Sequence, residues 1–380
     1  MEVRKFSIPE ILFGQGSLNY AALSAKRMGA EKVFLVSDTG LEEVGWVERI
    51  FSILEKEGLT WYYFNEINSN PRDQQISNGA KRYLEEGCDV VMAIGGGSPM
   101  DAAKGIAMVA SNGGEVQDYE GANRIQRPLP PMVFIPSTAG SGADISQFAI
   151  ITDIRRQVKM SIISRTLVPN ISITDPQLLT TKPPELIISS AIDALSHAVE
   201  AYISTIASTL TEIQSIKAIE LILKHLPIAL EERSMDALEK LLSAGTFAGM
   251  AFSNASLGLD HALAHSLGGK LDVAHGLIHP VLLPSVLRFN LPTCMHKMAA
   301  IGEMIIGQRR STAEATAREG IERLEAFFKD LKISTRLRDI VDDPDVLPQI
   351  CEMARYDTCL VTNPREATVE DMIEICKACW

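Results

Sequence analysis

No stretch of this 380-residue sequence reaches the roughly 18 uninterrupted apolar residues that a membrane-crossing helix needs, so no membrane partner is expected. A secretory leader is not expected either. Met1-Glu2-Val3-Arg4-Lys5 runs into Phe6 to Phe13, which Pro9 and Glu10 interrupt, and it lacks the apolar core and small-residue cleavage site of a signal peptide. Cysteine is scarce: Cys88, Cys294, Cys351, Cys359, Cys376 and Cys379 are too few and too uneven for a disulfide framework, and a reducing cytoplasm suits them. Cys376-Lys377-Ala378-Cys379 has C-x-x-C spacing without the strand-to-helix context of a redox motif, so its thiols read as incidental. Basic charge is short as well, with 36 Lys and Arg against 48 Asp and Glu and a formal net charge of -12. Such a field repels phosphate backbones, and no long Lys/Arg block offsets it, so nucleic acid is not an expected partner. Internal repeats and low-complexity segments are also missing.

What is present is the composition of an ordinary globular protein, 46% hydrophobic and 22% charged, in a chain longer than one core usually serves. Two domains sharing one cleft are expected. From Lys32 to about Ile173, apolar runs such as Val33 to Val36, Val90 to Ile94 and Met132 to Ile135 alternate with amphipathic segments. Continuous apolar runs bounded by turn residues are the mark of parallel strands covered on both faces. Pro183-Pro184 opens a different regime, where Ile188, Ile192, Leu195, Val199 and Tyr202 recur at helical spacing. Further helices are predicted over 208–226, 236–253, 260–268, 312–331 and 369–378. The expected architecture is an α/β dinucleotide-binding domain with a Rossmann-like parallel sheet over 1–184, and an all-α metal-binding, catalytic domain over 185–380.

The run Val90 to Ile94 ends in Gly95-Gly96-Gly97-Ser98-Pro99-Met100-Asp101 before helix-prone residues. Glycines remove the Cβ atoms that would block a ligand, Ser98 is expected to cap the helix, Pro99 suits its first position, and Asp101 completes a capping-box spacing. The N–H groups and positive end of that helix would face a pyrophosphate. A tight strand-to-helix turn needs glycine even without a ligand, but a second loop, Ser137-Thr138-Ala139-Gly140-Ser141-Gly142, follows another strand at the same expected sheet edge. Ligands of open α/β sheets bind beyond the carboxyl ends of the strands, where both loops would meet. Asp38, after Val33 to Ser37, reads either as a ribose-binding carboxylate or as a turn or cap residue.

Histidines cluster in the second half. Asp193 and His197 are four apart on one predicted helix, and His261 and His265 are four apart on another, so each pair projects from one helix face. His261, His265, His275 and His279 fall within nineteen residues, although the chain has only seven histidines; His225 and His296 stand outside the pattern. Imidazoles with one carboxylate suit Fe(II), Zn(II), Co(II) or Mn(II), while a single such pair by itself is more often packed or surface-exposed.

Taken together, these motifs resemble the iron-containing, or group III, alcohol dehydrogenases. The resemblance runs through Phe13-Gly14, Asp38, Asn70-Pro71, Gly95 to Asp101, the Ser137 to Gly142 loop, Asp153 with Lys159, and Asp175-Pro176. It continues through Asp193 to Ala201, His261 to Gly268, His275-Gly276 and Thr362-Asn363-Pro364-Arg365. It implies metal ligation by Asp193, His197, His261 and His275, a catalytic His265 near the nicotinamide, and NAD contacts from Asp38, Asn70, Gly96, Gly97, Ser98, Thr138, Ser141 and Lys159. It also implies Fe(II), or alternatively Zn(II), and a homodimer or larger assembly. Phe252 and Cys359 match positions near the family's substrate pocket. The chain departs from the family pattern at Gln147, where Asn is common, and at Ile278-His279, where many members carry Ala-Asn. Gln147 and His279 are therefore read as substrate-shaping positions, with a structural hydrogen bond as the alternative for His279.

The implied chemistry is hydride transfer between a nicotinamide and the carbinol carbon of a small alcohol, with a divalent ion as Lewis acid and His265 as a proton relay. A dehydroquinate synthase-like relative would need basic residues for a sugar phosphate, yet Lys270 is the only Lys or Arg between Asp260 and Pro280. A silent nucleotide- or metal-sensing protein would have no need of the full ligand set.

Overall fold

The computed structural model describes residues 5–273 and 275–380, so the leader reading of Met1 to Arg4 lies outside the described residues. The chain forms two compact units, Ser7–Pro183 with Arg233–Leu242, and Pro184–Glu232 with Ser243–Trp380.

The first unit is built on nine strands: β1 (Glu10–Phe13), β2 (Lys32–Val36), β3 (Thr60–Phe64), β4 (Val90–Gly95), β5 (Gly121–Ala122), β6 (Met132–Pro136), β7 (Phe148–Asp153), β8 (Val158–Ile163) and β9 (Ile171–Thr174). Six make one sheet in the order β1-β9-β6-β4-β2-β3, and every neighbouring pair is parallel. The apolar runs read as doubly covered strands have that fate: Phe34, Val36, Val91, Ala93 and Phe134 pack in one core, while Val33, Leu35, Val90, Met92 and Ile135 pack in the other. Because successive strand residues point to opposite faces, both faces must be apolar when both are covered. The chain places β3 on one side of β2 and β4 on the other. This reversal of strand order opens a crevice at the carboxyl ends of β2 and β4.

A feature the apolar runs did not announce is a second sheet, β5-β8-β7, whose β7 and β8 form an antiparallel hairpin. Asp153 Oδ1 closes its turn by accepting from the N–H groups of Arg155 and Arg156, each at 2.9 Å.

The second unit is helical, and no strand occurs among the described residues after Thr174. Helices appear where the periodicity predicted them, at Thr209–Glu231, Met235–Ala255, Leu259–Leu271, Ala313–Asp330 and Val369–Ala378. The reading missed His279–Ile306, 28 residues long, because Pro284 and Pro292 lie inside it; the backbone there kinks at Cys294. Pro184–Ile203 is long and apolar enough to cross a membrane by length and composition alone, but most of it is buried. The same helix carries Asp193 and His197.

Candidate active site

In the first unit the crevice is lined by backbone. Helix Gly97–Asn112 starts directly after β4 with Gly96 as its N-cap and no side-chain cap, which corrects the expectation that Ser98 caps it and Asp101 completes a box. The physical reason is that glycine has no side chain to satisfy the first-turn N–H groups, so they stay open to a ligand. Ser98 instead accepts a long hydrogen bond from Asn70 N, 3.4 Å away, and Asn70 itself is held at φ 79°, a left-handed conformation that Asn tolerates. Asp101 senses the charges of buried Lys104 and half-buried Lys159; burial pushes its pKa up to about 7 and that of Lys104 down to about 8.

The second glycine loop abuts the first. A Cβ on Gly96 would lie 3.4 Å from Thr138 Cγ2, and one on Gly97 would lie 3.0 Å from Ser141 Cβ. Larger residues at either glycine would push the loops apart. Ser137 N donates to Gly95 O at 2.7 Å, and Ser37 Oγ donates to Ile94 O at 2.8 Å, so the ends of β2, β4 and β6 are tied together. Asp38 sits in the same crevice: its Oδ2 is 3.3 Å from where a Gly95 Cβ would be, while its Oδ1 accepts from Leu41 N at 3.0 Å as the N-cap of Thr39–Glu43. Asp38 is thus a helix cap whose second carboxylate oxygen faces the Gly95 turn. Gln147 belongs to this unit too, half-buried, its carbonyl accepting from Ser164 N at 2.9 Å.

In the second unit the candidate site is made of side chains. Pro184–Ile203 contributes Asp193 and His197, Leu259–Leu271 contributes His261 and His265, the turn His275–Leu277 contributes His275, and His279 begins the next helix. Gly276 holds that turn close, since a Cβ there would lie 2.3 Å from the carbonyl oxygen of Ser189. Asp193 Oδ1 is the hub, with Nε2 of His197 at 3.7 Å, His261 at 3.8 Å, His275 at 3.8 Å and His279 at 3.2 Å. Two donors each about 2.1 Å from one ion can be no more than about 4.2 Å apart, so every one of these separations admits a shared cation. Asp193, His261, His275 and His279 also each offer a ligand atom within 4.8 Å of all the others. Among the described residues Asp193 Oδ1, His261 Nε2 and His279 Nε2 are buried without a hydrogen-bond partner, which a buried polar atom accepts only when something else satisfies it. The donor set fits a divalent metal.

Electrostatics agree. Burial opposes a charge on His261, yet the carboxylates of Asp193 and Glu200 outweigh it and hold its pKa at about 10. Burial likewise opposes the Asp193 carboxylate, but the surrounding imidazoles, His197 foremost, keep its pKa well below the usual range. A buried pocket that attracts positive charge this strongly in its empty form is suited to a cation.

Three carboxylates that the sequence reading missed orient these rings. His261 Nδ1 donates to Glu200 Oε2 at 2.6 Å, His279 Nδ1 to Asp260 Oδ2 at 2.6 Å, and His265 Nδ1 to Asp357 Oδ2 at 2.8 Å. A carboxylate can only accept, so each bond keeps a proton on Nδ1, and whenever the ring is neutral, as a metal ligand must be, Nε2 carries the lone pair. Glu200 also receives Asp260 N at 2.7 Å. Its place seven residues after Asp193 on one helix is a signal that could have found it. Asp260 and Asp357 carry no such pattern.

His265 stands apart from the donor set around Asp193. Its ring stacks on His275 with centroids 5.3 Å apart and planes at 12°. Phe252 stacks on His197 at 4.2 Å, and Cys359, fully buried, donates its backbone N–H to Asp357 Oδ1 at 2.8 Å. Burial and the neighbouring Asp357 raise the Cys359 thiol well above its usual pKa, which suits an inert wall.

Comparison with known proteins adds two family matches. Residues 9–176 match the model described as iron-containing alcohol dehydrogenase, and residues 187–380 match the C-terminal part of the Fe-containing alcohol dehydrogenase family. The chain is similar to the NAD-dependent methanol dehydrogenase of Bacillus methanolicus, 35% identical over 375 residues and covering 98% of each chain. It is similar to the 1,3-propanediol dehydrogenase of Citrobacter freundii, 36% identical over 385 residues, covering 99% of each. A crystal structure of a 1,3-propanediol oxidoreductase superposes with a TM-score of 0.96 at 33% identity, covering 100% of both chains.

Proposed function

The chain belongs to the iron-containing alcohol dehydrogenase family and is an oxidoreductase acting on alcohols, and from that premise we propose that it links NAD(H) to a small alcohol and its aldehyde or ketone. The observation that carries the reading is the single carboxylate oxygen of Asp193 with four imidazole nitrogens 3.2 to 3.8 Å from it.

In this reading Asp193, His197, His261 and His275 hold the divalent ion, with Fe(II) ahead of Zn(II). When bound, that ion supplies Lewis acidity of the kind that brings the pKa of water from about 15.7 to about 7, and NAD supplies the hydride acceptor. The chain's own groups do the rest. Glu200 keeps the His261 proton on Nδ1, so Nε2 is always presented as a donor atom. Asp357 does the same for His265, leaving its Nε2 free to take up the proton of the alcohol and pass it outward. The open N–H groups of Gly97–Asn112, together with Thr138 and Ser141, bind the pyrophosphate, and Asp38 takes the ribose hydroxyls and disfavours a 2'-phosphate. Asn70, Lys159 and Gln147 are the further candidates of the α/β unit, for the cofactor and for substrate choice, while Phe252, His279 and Cys359 are those of the helical unit for the substrate.

The relatives named for methanol and 1,3-propanediol, together with the lactaldehyde reductase of Escherichia coli at 32% identity, bracket a substrate class of small alcohols, diols and hydroxyaldehydes. A homodimer, carried over from the family resemblance, and a reducing cytoplasm, which six buried free thiols suit, complete the proposal. The test is NADH formation by metal-stripped protein reloaded with Fe(II) or Zn(II), across short alcohols and diols. Activity should vanish on stripping and return on reloading; undiminished turnover in the fully stripped protein overturns the reading.

A further inference from the structure

We propose that His279 is a fifth protein donor to the metal, held in place by Asp260, and that it biases the site towards an ion that accepts more than four ligands. The inference rests on the metal-centre reading above and deepens it.

His279 is fully buried at the first position of His279–Ile306. Its Nδ1 donates to the equally buried Asp260 at 2.6 Å, so the proton sits there and the lone pair of Nε2 points elsewhere. Nε2 faces Asp193 Oδ1 at 3.2 Å, nearer than the Nε2 of His197, His261 or His275, and among the described residues it has no hydrogen-bond partner of good geometry. Two such atoms in a buried pocket repel each other unless a proton or a metal ion lies between them, so Nε2 is placed where an ion can replace a proton. A ring kept only for its hydrogen bond to Asp260 would gain nothing from presenting a bare nitrogen to a carboxylate.

The arrangement also repeats that of His261, where Glu200 holds Nδ1 and Nε2 faces the same oxygen. Carboxylate–imidazole pairs of this form are the usual support of metal-bound histidines. With Asp193, His197, His261, His275 and His279 all engaged, a tetrahedral ion would have no position left for a substrate oxygen. An ion that accepts six ligands would keep one. Fe(II), Co(II) and Mn(II) fit that requirement better than Zn(II), whose protein sites are almost always four-coordinate when closed.

The test uses the full-length protein stripped of metal and titrated with Co(II), and separately with Zn(II), with thermal unfolding of the metal-free forms as the check on folding. The unmodified protein should show the weak visible absorption of a five- or six-coordinate cobalt centre. His279→Asn should weaken Co(II) binding by about 10²-fold, strengthen the visible absorption towards that of a four-coordinate centre, and narrow the preference for Co(II) over Zn(II). Asp260→Asn, which keeps the imidazole but removes its support, should weaken Co(II) binding by roughly 10-fold. It also stands in should the first variant not fold. Unchanged cobalt spectrum and affinity in the folded variants overturn the inference while leaving the metal-centre reading intact. Failure of the unmodified protein to bind any of these ions at the Asp193 cluster overturns both.

Discussion

The two units handle their ligands in opposite ways. In the α/β unit the candidate nucleotide surface is backbone: Gly96 and Gly97 bare the first turn of Gly97–Asn112, and a neighbouring loop packs so closely that a Cβ on Gly97 would come within 3.0 Å of Ser141. In the helical unit the candidate metal centre is built from side chains, and two of its imidazoles, His261 and His279, are aimed by the carboxylates of Glu200 and Asp260. A phosphate is large and diffuse in charge and is met by a row of N–H groups, whereas a cation needs a few donor atoms placed to within tenths of an ångström. The first demand is met by a contiguous string of small residues. The second draws on positions scattered along the sequence.

The largest effect expected from breaking that contrast is at the imidazoles. His261→Ala or His197→Ala should reduce bound metal, measured by elemental analysis, to a small fraction of the unmodified protein's, with activity falling in proportion, since solvent must fill the gap in the shell. NADH binding, measured by fluorescence titration, should persist. If activity falls while metal content is unchanged, these residues are not ligands.

A smaller effect separates ligand from relay. His265→Ala should keep its metal and lose roughly 10² to 10⁴ in turnover, the usual worth of general acid–base help. Asp357→Asn should do the same more mildly, because it replaces an accept-only carboxylate by a neutral amide that can also donate and so no longer fixes the His265 tautomer. Metal loss in His265→Ala as complete as in His261→Ala would make His265 a ligand instead.

The mirror experiment lies in the other unit. Gly97→Val places a branched side chain where a Cβ alone already comes within 3.0 Å of Ser141 Cβ, which must shift the second loop. Affinity for NADH should drop by about tenfold or more, roughly 1.4 kcal/mol, with metal content untouched. Equal NADH affinity in the variant would remove the glycine loops from the cofactor site.

The same contrast explains what could be read from the sequence. Strands β2, β4 and β6 were legible because burial on both faces demands unbroken apolar runs, and the glycine loops because close approach demands glycine within a few consecutive residues. The gathering of Asp193, His197 and His261 around one carboxylate oxygen agrees with their helical spacing, while His275 entered through the family resemblance alone. Glu200, Asp260 and Asp357 were not, because a hydrogen bond such as His265 to Asp357 joins residues 92 apart and leaves no periodicity behind. The start of Gly97–Asn112 was misjudged for a related reason: capping preference favours Ser98, but a helix that offers its N–H groups to a ligand gains from leaving them uncapped. His279–Ile306 was hidden by prolines that its kink accommodates.

The smallest effect, and the sharpest on selectivity, concerns Asp38. Its carboxylate has two roles in the structure, capping Thr39–Glu43 through Leu41 N and facing the Gly95 turn, so a substitution must separate stability from cofactor choice. Replacing a cap residue by alanine typically costs about 1 kcal/mol, but replacing it by glycine costs only a few tenths, which makes Asp38→Gly the cleaner variant. It removes a like charge from the place where a 2'-phosphate would sit. Lys182 remains: burial lowers its pKa while the Asp38 carboxylate raises it, so its ammonium group senses this position and would be left to meet the phosphate. The ratio of catalytic efficiencies for NAD over NADP should therefore fall by about tenfold, equivalent to roughly 1.4 kcal/mol, mainly through a lower KM for NADP, while the melting temperature hardly changes. An unmodified protein that uses both cofactors equally well, or a variant whose ratio stays put, would leave Asp38 as a cap and nothing more.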